Sequence, residues 1–248
     1  MNTRVCQLIR VSPHIEQTMA SILKVRSLPF LAPMTVLAVS CLASLALIEA
    51  RQMFFQKYQY RFLVWNLFLA VIPLGIAYVA FVYYELRRRK MDVLFLLLLI
   101  TWLLFFPNAP YIVTDFVHLK AKKGVPIWFD IVLLYSFSWN GLLAGLFSLR
   151  IMHLVISDRL NRFIGWLFVL AVLPLASFGI YLGRFQRWNS WDVVDNPRSL
   201  LVDSLKLLQT SPSDFHMATI LALISLGLLL GYVMLVSVAT MRYDKGEP

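Results

Sequence analysis

Six solid apolar runs divide the chain, and none of them alternates between apolar and polar positions. They cover about Phe30–Ile48, Phe62–Tyr84, Met91–Phe106, Trp128–Leu149, Phe163–Leu182 and Ala218–Thr240. A helix rising about 1.5 Å per residue needs about 20 apolar residues to cross about 30 Å of hydrocarbon. A transmembrane barrel would show a period of two, so solid runs of this length specify helices. The predicted fold class is all-α: a polytopic membrane helix bundle with about six transmembrane helices, a broken third helix and a short interfacial helix before the sixth.

The third run departs from the pattern. Its 16 residues reach only about 24 Å as a helix, and then Pro107 and Pro110 disfavour helix at Phe106 and Ala109. The sequence predicts a break near one membrane surface, where irregular backbone must be covered by protein or wetted by a cavity. Before the sixth run, Asn196 and Pro197 form a helix-start signal. Leu200, Leu201, Leu205 and Leu208 then make one apolar face, which predicts a helix lying flat on the surface above the break.

Composition turns this pattern into a class. The chain is 60% hydrophobic and 15% charged over 248 residues, too little polar surface for a body facing water all round. The 23 Lys and Arg against 13 Asp and Glu lie mostly between the apolar runs. Membrane headgroups and topology account for them there, so lipids rather than nucleic acid are the expected partners. Of these cations, 13 fall on the side of the two termini and 10 on the other. The cluster Arg87-Arg88-Arg89-Lys90 sits in a short loop and weighs most, which predicts cytoplasmic termini in the plasma (inner) membrane. Residues 1–29 are expected to form a cytoplasmic or interfacial tail, 30–241 the transmembrane domain and 242–248 a cytoplasmic tail. The first 29 residues lack a continuous apolar core and do not read as a cleavable signal. Cys6 and Cys41 are placed for neither a disulfide nor a zinc site.

Two polar stretches carry the candidate chemistry, and span parity puts them on one face of the membrane. The first holds Asn108, Tyr111, Thr114, Asp115 and His118. Asp115 and His118 share a helical face if Thr114 caps a short helix, so the carboxylate could orient the imidazole as a base, or both could ligate a metal. The plainer reading is a carboxylate capping backbone N–H groups. A zinc site would need Asp192, Asp195 or His216 to join, and the spacing specifies neither metal nor cofactor. The second stretch, Gly183 to Asp192, holds Arg184, Arg187, Asn189, Ser190 and Asp192. Two arginines three apart make a fork for carboxylate or phosphate. They could instead snorkel to the interface, or pair with Asp115 or Asp192 and pin the loops together.

Two further features lie within the runs. Asp130 is expected to reach headgroup water and Asn140 to hydrogen-bond between helices. Gly141/Gly145, Gly179/Gly183 and Gly227/Gly231 have small-xxx-small spacing, which suits either internal packing or a seam with a second copy or another membrane protein.

The run Pro107-Asn108-Ala109-Pro110-Tyr111-Ile112-Val113-Thr114-Asp115 with His118, followed by Gly183-Arg184-Phe185-Gln186-Arg187-Trp188-Asn189-Ser190-Trp191-Asp192, resembles the DUF1361 family of bacterial integral membrane proteins of unknown function. The likeness covers roughly residues 40–240. It implies a multi-helix inner-membrane protein and brings no activity with it. Three readings of the polar stretches therefore stand. They could bind an anionic ligand such as a lipid headgroup or envelope precursor, with a transport-accessory role. They could serve a membrane-embedded hydrolase or transferase using Asp115 and His118, with Arg184 and Arg187 stabilising negative charge and Ser190 as nucleophile. Or they could form a polar lock in a structural partner protein.

Overall fold

The computed structural model describes residues 28–56, 58–121, 123–210 and 215–240. The expected tails over 1–29 and 242–248 fall almost wholly outside the described residues, as do Cys6, His14 and the side chain of His216. The helices are α1 (Leu28–Phe55), α2 (Phe62–Leu86), α3 (Val93–Phe105), α4 (Asn108–Tyr111) with a 3₁₀ segment (Ile112–His118), α5 (Ile127–Arg159), α6 (Arg162–Phe185), α7 (Asp192–Asp195), α8 (Pro197–Thr210) and α9 (Phe215–Thr240). Among the described residues, six helical paths are long and apolar enough to cross a membrane, as the apolar runs predict. The chain is an integral, multi-pass membrane protein.

Local chemistry sets several boundaries. Asp92 caps α3 by accepting from the Phe95 N–H at 3.1 Å, and Asn161 caps α6 by accepting from the Ile164 N–H at 2.8 Å. Both satisfy a first-turn donor that has no partner within the helix. The Tyr83 hydroxyl donates to Asp92 at 2.6 Å and holds that carboxyl below the usual carboxylate range. Pro197 opens α8 directly after Asn196, as its missing N–H and fixed φ favour.

The third span differs from its expectation in one respect. The α-helix ends at Phe105, as the prolines require, but the chain does not leave the bundle there. Phe106, Pro107, Tyr111 and Ile112 all keep right-handed helical dihedrals. The ladder passes from an α bond, Phe106 N–H to Trp102 O at 2.8 Å, to a tighter bond, Ala109 N–H to Phe106 O at 3.1 Å. The path continues as a 3₁₀ helix to His118, giving 26 residues over Val93–His118, long enough to span.

Two glycine faces grip this segment. A methyl on Gly141 would lie 2.9 Å from the Ala109 carbonyl oxygen, and one on Gly145 would lie 3.0 Å from Ala109 Cβ. From α6, a methyl on Gly179 would lie 2.7 Å from Pro107 Cγ, and one on Gly183 3.2 Å from Tyr111 Cε2. Bare backbone on α5 and α6 thus lets both helices close on residues 107–112. Four of the six spaced glycines serve internal packing. Gly227 on α9 meets nothing within 4 Å.

α5 is the central element and packs against α1, α2, α6, α9 and the 3₁₀ segment. It also carries a correction. Asp130 does not reach headgroup water: it is 1% exposed and paired with Arg51 of α1, Nε to Oδ1 at 2.6 Å and Nη2 to Oδ2 at 3.2 Å. A carboxylate one turn inside a span is satisfied most fully by a guanidinium fork from the next helix. Asn140 donates to Ser44 Oγ at 2.8 Å, the interhelical bond its depth predicts.

Candidate functional site

Arg184 is the centre of the polar cluster. It lies in the last turn of α6, and its guanidinium turns onto the 3₁₀ segment. Nε donates to Thr114 Oγ1 at 2.8 Å, Nη2 to the same oxygen and to Asp115 Oδ1, both at 2.5 Å, and Nη1 lies 3.2 Å from His118 Nε2. The guanidinium carbon stands 4.4 Å from the centroid of the Tyr111 ring. The Thr114 hydroxyl gives its own proton to the Tyr111 carbonyl at 2.6 Å, which leaves its lone pairs for the arginine. The 3₁₀ turn brings Tyr111, Thr114, Asp115 and His118 to one guanidinium.

Asp115 is 1% exposed, and its second oxygen accepts from Asn66 Nδ2 of α2 at 2.7 Å. A buried carboxylate is tolerated only when paired and hydrogen-bonded, and here both oxygens are taken. Asp115 and His118 do not form a dyad: among the described residues no hydrogen bond joins them, and Arg184 contacts each. An arginine always donates, so in this contact the His118 nitrogen is the acceptor. The Tyr60 hydroxyl donates to the His118 carbonyl at 3.3 Å, and the Arg51 guanidinium lies 4.7 Å from the Tyr60 ring centroid. Burial pushes the Tyr60 phenol up, and the Asp130 charge adds to the effect. The two buried ion pairs are therefore linked through Tyr60 and His118.

The rest of the second stretch sits differently. Ser190 accepts from Asn108 Nδ2 at 2.8 Å and gives its proton to the Leu104 carbonyl at 3.0 Å, so the loop after α6 is stitched to the end of α3. Asp192 accepts from the Asn189 backbone N–H at 2.6 Å and stays out of the Arg184 cluster. Arg187 is exposed at φ 61° and has no ion-pair partner among the described residues. Among the described residues, no three His, Cys, Asp or Glu are grouped to hold a metal ion. His153, at the opposite end of α5, lies 2.5 Å from the Tyr232 hydroxyl.

A cavity of about 380 Å³ opens beside this cluster. Asn66, Asn108, Tyr111, Asn189, Ser190 and Ser204 supply its polar lining, and Leu69, Leu103, Leu104, Leu175 and Phe178 its apolar wall. Tyr111 belongs to both features, since Arg184 lies over its ring. Among the described residues, no charged side chain lines the cavity. Leu200 and Ser204 place α8 at its edge, the roof position expected of that helix. Asn66 is the functional residue that the sequence reading missed. The available signal was one amide in an otherwise apolar run, a costly group that must find a partner in the bundle.

No curated protein and no solved structure matches the chain. The family model described as "Protein of unknown function (DUF1361)" matches residues 65–230. That range takes in Asn66, both polar stretches and the glycine faces that hold them. With more than half of its length matched, this chain belongs to the DUF1361 family.

Proposed function

We propose that this protein binds a lipid-like amphiphile at the outer face of the plasma membrane, with an apolar tail and a hydrogen-bonding head. The observation that carries the reading is the cavity beside the 3₁₀ segment, whose lining is amide and hydroxyl at one part and leucine and phenylalanine at another. Ligand sites are mostly apolar concavities with a few placed polar groups. The Arg184–Asp115 cluster stands behind Tyr111, the residue through which it meets that site. Its guanidinium is occupied by Thr114, Asp115 and His118, so the anion-binding role expected of Arg184 passes to Arg187. Arg187 adjoins Trp188, a lining residue, and its charge has no partner among the described residues. A phosphate or carboxylate on the ligand head meets Arg187 at the rim. A transport-accessory role, holding an envelope precursor between two partners, fits this arrangement.

The orientation is part of the proposal. Basic residues concentrate beside α2 and α3 at Arg87-Arg88-Arg89-Lys90, which puts that end, and both tails, in the cytoplasm. Hydrolase or transferase chemistry finds less support. Arg184 contacts both Asp115 and His118 in place of a bond between them, and the Ser190 proton is given to a backbone carbonyl rather than to a base.

Hexadecyl phosphate added to the protein in a neutral sugar-headed detergent provides the test, read as a one-to-one adduct by native mass spectrometry. Leu104→Trp, which fills the cavity, should abolish the adduct. Arg187→Ala should weaken it about tenfold by removing one charge-assisted contact, with the thermal unfolding profile unchanged. An adduct indifferent to both substitutions overturns the reading.

A further inference from the structure

A second concavity lies at the other end of the bundle, away from the proposed outer site and independent of it. It is a groove of about 990 Å³ between α1 and α9, floored by α2 and α5. Its walls are apolar over most of their length: Phe30, Met34 and Phe81 from α1 and α2, Leu143 and Phe147 from α5, and Leu235 from α9. Among the described residues, the charged side chains in its lining are Glu85, Arg150 and Asp158. Glu85 and Asp158 stand at the ends of α2 and α5 beside the Arg87–Lys90 turn, and Arg150 lies about two turns deeper on α5, so the polar groups of the groove gather toward one mouth.

The order of groups along α5 is informative. The apolar lining runs from Trp139 to Phe147, then comes the guanidinium of Arg150, then Ile151, Leu154 and Val155, and the carboxylate of Asp158 follows eight residues after the arginine. Eight residues put the Asp158 backbone about 12 Å nearer the membrane surface than that of Arg150, a gap that the two side chains and a headgroup between them span together. Asp158 is fixed there, accepting from the Tyr84 hydroxyl at 2.9 Å and from Arg89 at 3.2 Å. An ionised carboxylate offers about four acceptor sites, so capacity remains. Glu85, 3.8 Å from the same Arg89, adds a second carboxylate to this end of the groove. Arg150 makes no ion pair with a carboxylate among the described residues.

Hydrocarbon, then a cation, then carboxylates is the complement of hydrocarbon, then a phosphate, then an ammonium. The geometry points to a site for one aminophospholipid molecule, its chains in the groove, its phosphate on Arg150 and its primary ammonium at Asp158 and Glu85. An anionic headgroup without an amine would satisfy Arg150 and leave its outer part facing carboxylates. A trimethylammonium carries the charge but no N–H to donate, so it gives up the hydrogen bonds.

The full chain should be reconstituted in bilayer discs holding equal parts of phosphatidylethanolamine, phosphatidylcholine and phosphatidylglycerol. It is then extracted in mild detergent, and the retained lipid is measured by mass spectrometry. Phosphatidylethanolamine should be enriched about tenfold over phosphatidylcholine, the worth of one or two charge-assisted hydrogen bonds. Arg150→Ala should cut its retention by about the same factor. Met234→Trp, at a groove residue 70% exposed, should block the chains without touching the core. It decides the question if Arg150→Ala fails to fold. Equal retention of all three lipids overturns the proposal, as does preference for phosphatidylglycerol. So does a disulfide or chemical crosslink showing that a second copy, or residues 1–27 of the same chain, fills the groove.

Discussion

Arg184 and Arg187 are the same residue type three positions apart, and the fold gives them opposite roles. Arg184 sits in the final helical turn, where its guanidinium lies across Thr114, Asp115 and Tyr111. Arg187 falls after the helix, at a positive φ, and points its charge outward. Removing Arg184 leaves Asp115 buried with Asn66 as its remaining partner. Arg184→Ala should therefore cost about 3 kcal/mol or more, the range for breaking a buried pair. Arg184→Lys should recover little, because one ammonium cannot span Thr114, Asp115 and His118 or lie flat on Tyr111. Arg187→Ala should stay within about 0.5 kcal/mol of the parent. Thermal or SDS-induced unfolding in detergent separates these outcomes, and equal losses for the two arginines would contradict the assignment. The sequence showed that a basic pair faced an acidic stretch. It could not show which arginine turned inward, because that depends on where α6 stops, a boundary set by packing against residues 107–112.

At the scale of elements, the third span is held by its neighbours as much as by its own sequence. Prolines at 107 and 110 remove two backbone donors and loosen the ladder. The chain nevertheless remains helical because Gly141 and Gly145 on one side, and Gly179 and Gly183 on the other, leave a channel of matching width. Side chains added there have nowhere to go. Gly141→Ala meets the Ala109 carbonyl as well as the buried Ile112 side chain, and Gly179→Ala meets the Pro107 ring; neither the carbonyl nor the ring can rotate aside. Each should destabilise by about 1–3 kcal/mol, the cost of overpacking, and each should disturb the cavity beside Tyr111. Gly227→Ala, facing open space, should be neutral or stabilise by up to about 1 kcal/mol through helix propensity. Unfolding measurements on the three variants should rank them accordingly; a costly Gly227→Ala would instead indicate a partner on that face of α9. The α-helix break was legible because proline chemistry is local. The continuation to His118 was not, because it depends on glycines 30 to 70 residues downstream closing around the segment. The pairing of Asp130 with Arg51 was hidden for the same reason: each residue alone looked like an interfacial charge.

At the scale of the whole molecule, six crossings fix which loops share a face. The cluster at Arg184 and the 3₁₀ segment lie at one end, and the Arg87–Lys90 turn and the α5–α6 junction at the other. This parity was readable from the apolar runs, and the 2.5 Å contact between Arg184 and Asp115 agrees with it. Absolute orientation depends on a separate force, the retention of clustered cations on the cytoplasmic side. Leu160 and Asn189 are suitable reporters, since both are exposed and neither carries charge, so replacing them leaves the topology signal intact. With Cys6 and Cys41 first changed to alanine, Asn189→Cys should react with a membrane-impermeant maleimide on intact cells. Leu160→Cys should react only after the membrane is permeabilised. The opposite pattern would invert the protein and move the cavity beside Tyr111 to the cytoplasmic face while leaving every contact in place. Labelling of both from the same side is the more serious result: it cannot arise from a chain that crosses once along α6 between them, and it would dismantle the bundle on which the paired site depends.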